Sequence, residues 1–141
     1  MLAICGEDGN DGQPSRRWRT VWNDGGTTID KMLEFLQEVL DEVGHANENG
    51  VHVFTMDNLN SHRNEAVVAL IHLYGHGIVY RAPYWAVDAP IEYVFHTLQS
   101  LLRARLHTIR DIPDLNEAIN QSIQSMIDFG TYFNHVGLNL I

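Results

Sequence analysis

The stretch VHVFTMDN, residues 51–58, is a short apolar run that stops at an acid. Val51 to Met56 has the length of a strand, and apolar side chains on both faces suit a central, buried one. Asp57 then sits where the strand ends. In sheets flanked by helices, ligands gather beyond the carboxyl ends of the strands. Asp57 is therefore the first candidate site residue.

Upstream, Ile29, Met32, Leu33, Leu36, Val39, Leu40 and Val43 recur with the 3.6-residue period, and Thr27 and Asp30 have capping-box spacing. The pattern predicts a helix ending at Gly44, with a turn over 45–50. Residues 2–5 and 17–22 read as strands of a hairpin, joined by the turn-rich loop 6–15. Downstream, Ser61 is a candidate cap for a helix to about Tyr74, with Ala66, Val67, Leu70 and Ile71 inward. Residues 77–82 form another strand, and 83–90 a rigid connection. Asp88 is placed to cap a helix that carries Pro90 in its first turn. Ile91, Val94, Phe95, Leu98, Leu101 and Leu102 form its apolar stripe. A last helix starts near Pro113 and buries Leu115, Ile119, Ile123 and Met126. The tail from Gly130 reads as irregular. The order is strand, strand, helix, strand, helix, strand, helix, helix. It indicates a single α/β domain over 1–141, with helices packed on a sheet.

The chain has 141 residues, 45% of them hydrophobic, enough for a packed core. No apolar run reaches the ~18 residues of a membrane span, and the first residues lack the basic region of a secretory signal. The lone Cys5 excludes an intramolecular disulfide and reads as a small core residue. A net charge of −9 argues against a general nucleic-acid binder. The positive groups are Lys31 and eight arginines, with local groupings at Arg16, Arg17 and Arg19 and at Arg103, Arg105 and Arg110.

A second acid, Glu92, opens the helix after the connection, and 34 residues lie between it and Asp57. Two carboxylates on neighbouring core elements can hold a divalent cation against phosphate. Glu92, His96, Gln99 and Arg103 share one helical face opposite the apolar stripe. The plain alternative is an acid favouring a helix N-terminus, followed by a solvated polar face. His72 and His76 have metal-ligand spacing, but Gly75 lies between them, and packing is the simpler reading. His62 reads as a capping or packing histidine. Ser61 lacks a nucleophile elbow, and Gly6, Gly9 and Gly12 form no phosphate-binding fingerprint.

MDNLNSH at 56–62 resembles the second-acid motif of mariner-type DDE transposases, Asp-Asn followed by a His. RAPYWAVDAPIEYVFHTLQSLLR at 81–103 resembles their third-acid motif, typically Pro-Pro-Tyr-Ser-Pro-Asp-Leu-Asn-Pro-Ile-Glu before a basic helix. The interval between the acids is that of this branch. YFNHVG at 132–137 resembles the closing aromatic-x-His-x-Gly element, and MLAICGEDG and GGTTIDKMLEFLQEVL the segments before the second acid. Asp57 matches the second acid and Glu92 the third. Asn58, His62, Pro83, Tyr84, Pro90 and Ile91 match accompanying positions.

The resemblance implies an RNase H-like mixed sheet flanked by helices and Mg²⁺- or Mn²⁺-dependent DNA cleavage and strand transfer. Asp57 and Glu92 would be catalytic and metal-binding, and Arg103 and Arg105 would lie against DNA phosphate. The implied partner is transposon-end DNA, in the complete protein; a sheet without its opening strand adds pairing with a second copy of the chain as an expectation, and no membrane is expected. The implied location is the nucleus in a eukaryote and the cytoplasm otherwise. Trp85, Ala86, Val87, Asp88 and Ala89 depart from the family's turn. No residue matches the first acid; Glu7 and Asp8 lie in a turn-rich loop. Two strands precede Thr27 where the fold asks for three, so the expectation is a sheet lacking its first strand and a chain inactive in isolation. The alternative is a non-catalytic, transposon-derived remnant or protein-binding module. A metal-dependent phosphatase lacks its Asp-x-Asp motif here.

Overall fold

Two threonines precede the first long helix, and the second of them caps it. The computed structural model describes residues 1–6, 16–21, 25–82, 89–126 and 128–138. The expected loop acids Glu7 and Asp8, the connection 83–88 with the Asp88 cap, and Trp22 lie outside them. The fold is mixed α/β, rich in helix, with two two-stranded sheets among the described residues. The chain divides into two compact units, Met1–Leu2 with Trp18–Trp85, and Ala3–Arg17 with Ala86–Ile141.

Strands β1 (Leu2–Ile4) and β2 (Arg17–Arg19) pair as the expected hairpin, in shorter form. Backbone bonds link Thr20 to Met1 and Cys5 to Arg16 at its two ends.

In the first unit, helix α1 runs Ile29–Val43, and the Thr28 hydroxyl accepts from the Lys31 N–H. The helix therefore starts one residue later than a Thr27 cap would set it. Met32, Phe35, Leu36, Val39, Leu40 and Val43 are buried along one stripe. Gly44, at φ 78°, ends the helix with its N–H on Leu40 O at 2.8 Å, a left-handed conformation that favours glycine. The expected turn over 45–50 contains one helical turn, α2 (Ala46–Asn49).

Strand β3 (Val53–Met56) pairs in parallel with β4 (Gly77–Tyr80), in the register Val53 to Gly77 and Met56 to Tyr80. Helix α3 (Glu65–Leu73) joins them. Its cap is Asn64, whose side chain accepts from Ala66 N–H, and not Ser61. Val67 and Ile71 are fully buried, whereas Ala66 is exposed. The two buried side chains contribute about 1.5–3 kcal/mol each. They pack with Met32, Leu36 and Leu40, and Phe54, Met56, Leu70 and Ile78 close against that cluster.

The expectation of a strand buried on both faces is corrected here. Phe54 and Met56 face the core, while Val53, at 60% exposure, and Thr55 face outward with Val79. The physical reason is that α1 and α3 cover one face of this two-stranded sheet, and nothing among the described residues buries the other.

In the second unit, helix α4 runs Pro90–Arg105, with Pro90 in its first turn and Ala89 before it, and ends in a 3₁₀ turn at Leu106–Thr108. Val94 is fully buried and Phe95 is exposed, so the stripe is narrower than its composition suggests. Helix α5 (Ile112–Ser125) is capped by Asp111 through Asp114 N–H. It buries Ala118, Ser122 and Ile123, with Met126 just beyond its end; Leu115 is exposed. The tail is not wholly irregular, since Gly130–His135 forms helix α6. The Asp128 carboxylate organises its start, accepting from Gly130 N–H at 2.7 Å and from the Thr131 hydroxyl at 2.9 Å. Both α5 and α6 pack on α4, α6 through a Thr97–Tyr132 hydroxyl pair and an edge-to-face Tyr93–His135 contact. No helix among the described residues is long and apolar enough to cross a membrane.

Candidate functional site

Asp57 follows the last residue of β3, at the carboxyl end of a parallel pair. Its carboxylate shapes the turn after it. Oδ1 accepts from the Leu59 N–H at 3.3 Å, and His62 and Arg63 N–H groups then close back onto Leu59 O. Such a side-chain-to-backbone bond is the ordinary turn chemistry of aspartate. His62 Nδ1 approaches the same Oδ1 at 2.5 Å, as an ion-pair contact without full hydrogen-bond alignment. Oδ2 has no partner among the described residues, and the side chain is half exposed.

The turn is braced from β4. The Tyr80 hydroxyl donates to His62 O at 2.8 Å, and the Arg63 guanidinium lies 5.5 Å from the centre of the Tyr80 ring. Arg63 also donates to Asn58 Oδ1 at 2.8 Å. Arg81 N–H bonds Met56 O, holding the strand ends together beside Asp57. The sequence marked Asp57, Asn58 and His62 and missed Arg63 and Tyr80. Their part depends on the β3–β4 register, which no local pattern states; the alternation of GIVY was the available signal.

Glu92 stands in the first turn of α4, exposed, with no side-chain partner among the described residues. A carboxylate there also favours the helix dipole. His96, Gln99 and Arg103 follow on α4, all exposed. Arg103 presents its charge without a protein partner among the described residues, and Arg105 donates to Gln121 Oε1 on α5 at 2.9 Å. Asp57 belongs to the first unit, and Glu92, Arg103 and Arg105 to the second.

The donor chemistry of Asp57 and Glu92 fits a hard divalent cation, because both offer uncommitted carboxylate oxygen. Among the described residues no three His, Cys, Asp or Glu side chains are grouped to hold a metal ion. Of the histidine pair, His76 packs as expected, buried with both ring nitrogens engaged, whereas His72 is exposed. His76 Nδ1 accepts from His52 N–H at 3.3 Å, and Nε2 lies 2.8 Å from Gly44 O, so Nε2 carries the proton. That histidine joins the end of α1 to the approach to β3.

No family model, curated protein or solved structure matches the chain.

Proposed function

We propose that this chain is the C-terminal part of a DDE transposase catalytic domain of RNase H-like fold, acting in metal-dependent DNA cleavage and strand transfer. The observation that carries the reading is Asp57. The acid of the MDNLNSH motif stands at the carboxyl end of a parallel strand with Oδ2 open, on a turn braced by Tyr80 and Arg63. Glu92, in the first turn of the helix after the next strand, supplies the second carboxylate.

In this reading Asp57 and Glu92 would each supply carboxylate oxygen to Mg²⁺ or Mn²⁺. When bound, such ions polarise the scissile phosphate and lower the pKa of attacking water. Arg103 and Arg105 lie along the DNA backbone and neutralise phosphate. Two of the three family acids are matched, so the reading assigns this chain cation binding, and cleavage only where a third carboxylate completes the set.

The test is a Mn²⁺ binding titration of the wild type, Asp57→Ala and Glu92→Ala. Weak binding that falls in both variants supports the reading. Binding that neither substitution changes overturns it.

One observation favours a second reading, a non-catalytic protein-binding module. Val53, Thr55 and Val79 form an exposed, largely apolar strip on the sheet face opposite the core. That reading requires neither acid, so the same titration separates the two.

A further inference from the structure

We propose that Asn49–Gly50 is a deamidation site gated by helix α2, and that its product uncaps helix α1. Asn49–Gly50 is the one Asn-Gly pair in the chain, and both residues are exposed. Glycine lacks the Cβ that would hinder ring closure through its nitrogen, so this pair is the most open to that chemistry. Asn49 is the last residue of the single turn α2, and Gly50 follows at φ 87°. The Asn49 side chain turns back to α1, where Nδ2 donates to Val43 O at 3.1 Å. It lies so close over Gly44 that a Cβ there would come within 2.2 Å of Nδ2. Asn49 thus serves a carbonyl at the end of α1, where donors are short.

In the reaction the Gly50 nitrogen gives its proton to solvent and bonds to Asn49 Cγ. The Cγ–Nδ2 bond breaks, Nδ2 takes a proton and leaves as ammonia, and a five-membered succinimide remains. Water then opens either carbonyl of the ring, to aspartate or isoaspartate. The net exchange is one water for one ammonia. In the folded chain both reacting groups are held elsewhere, Nδ2 by Val43 O and the Gly50 N–H by Ala46 O at 3.0 Å. Ring closure therefore requires α2 to open. Opening costs little, because α2 buries no residue and an isolated turn is a poor helix. The product carboxylate has no proton to donate to Val43 O, and it adds negative charge at the negative end of α1.

The experiment follows Asn49 by peptide mapping and mass spectrometry in the full chain, aged at mildly alkaline pH, both folded and in urea. Conversion to the acid is expected at Asn49 in urea, and more slowly in the folded chain. Glu48→Gly loosens α2 at an exposed position. It should raise the folded rate, divided by the same variant's rate in urea, roughly fivefold through the helix propensity lost. Tyr80→Phe weakens the same unit away from α2 and should leave that ratio near wild type; circular dichroism confirms that both variants fold. No conversion at Asn49 in urea overturns the site. Equal rates folded and in urea overturn the gating, as do no acceleration in Glu48→Gly and equal acceleration in both variants.

A second readout tests the cap. Asn49→Asp reproduces the charge of the product, and Asn49→Ala removes the donor without adding charge. Hydrogen exchange at the Val43 and Gly44 amides is expected to be faster in both than in the wild type, and fastest in Asn49→Asp. Unchanged exchange in Asn49→Asp would show that the product leaves α1 capped, and overturns that part of the proposal.

Discussion

The hydroxyl of Tyr80 donates to the main-chain carbonyl of His62 at 2.8 Å, tying the last residue of β4 to the turn that follows β3. Parallel pairing brings these segments together at the same end of the sheet. The bond thus couples the strand register to the position of Asp57.

Tyr80→Phe keeps the ring under Arg63 and removes the hydroxyl. The loss of one such bond costs about 0.5–1.5 kcal/mol. The effect should be concentrated in the turn, with faster hydrogen exchange at the Leu59 and His62 amides and little change in the middle of α3. Uniform exchange across α3 and the turn would show that Tyr80 does not act locally.

In the second unit, Arg17 closes the end of α5. Its Nη1 donates to Met126 O at 2.7 Å and also contacts Ile123 O, while the guanidinium lies 5.0 Å from the centre of the buried Phe129 ring. Carbonyls at a helix end lack the full set of intrahelical donors; Ile123 O takes the Met126 N–H at 3.1 Å, and Arg17 supplies a donor to Met126 O. Arg17→Met keeps the stem and removes the donors. A loss of about 1–3 kcal/mol is expected in urea unfolding, because hydrogen bonds from charged groups are the stronger class. An unchanged midpoint would show that water replaces Arg17 without cost.

These two contacts also mark what local sequence could not express. Helix α1 was legible because seven apolar residues keep one period, and only its cap moved, from Thr27 to Thr28. Position of Asp57 at a strand end was legible for the same reason. The bracing by Tyr80 and Arg63 was not, since it depends on the register of β3 against β4. Helix α6 escaped because it lacks an apolar period; Asp128 and contacts with α4 hold it instead. Apolar residues on both faces of β3 do not say which face a helix covers, and Val53 is exposed. Neither periodicity nor spacing says what Asp57 and Glu92 do together. That expectation came from the motifs.

A pH-dependent contribution is expected from α1 and the end of α3. The Tyr74 hydroxyl donates to Asp41 Oδ1 at 2.6 Å, and Gln37 donates to it at 2.7 Å. These bonds, Tyr74 first, hold the Asp41 carboxyl below its ordinary value of 3.8. The bond to Asp41 in turn raises the Tyr74 hydroxyl above 10.0. A depressed acid stabilises the fold above its ordinary value and loses that contribution as pH falls through its lowered one. A raised hydroxyl contributes fully below its ordinary value and loses the contribution as pH rises through its raised one. Tyr74→Phe retains the stack on His45, whose ring centre is 4.4 Å away, and removes the donor. Melting temperatures should be lower in the variant across the neutral range. The difference should narrow below pH 3.8 and above pH 10.0. A constant difference at all pH values would mean that the hydroxyl acts by packing alone.

The last prediction concerns the cation binding proposed for Asp57 and Glu92. Two ligands of the same cluster lose their effects non-additively, because removing either already disables much of what the other supports. Asp57→Ala and Glu92→Ala should each weaken Mn²⁺ binding, and a coupling of about 0.5–3 kcal/mol in the double variant would mark one shared cluster. Separate weak sites on an acidic surface would give additive losses. Glu34→Gln, at an exposed position of α1, controls for the general loss of charge and should bind like wild type. In a plasmid-nicking assay with Mn²⁺, the isolated chain should cut little, because catalysis needs each ion fixed relative to the phosphate and small misplacements lose much of the rate. Mn²⁺ binding unchanged in either single variant would remove the proposal for that acid. Robust nicking abolished in both single variants would show that a further carboxylate of this chain completes the set.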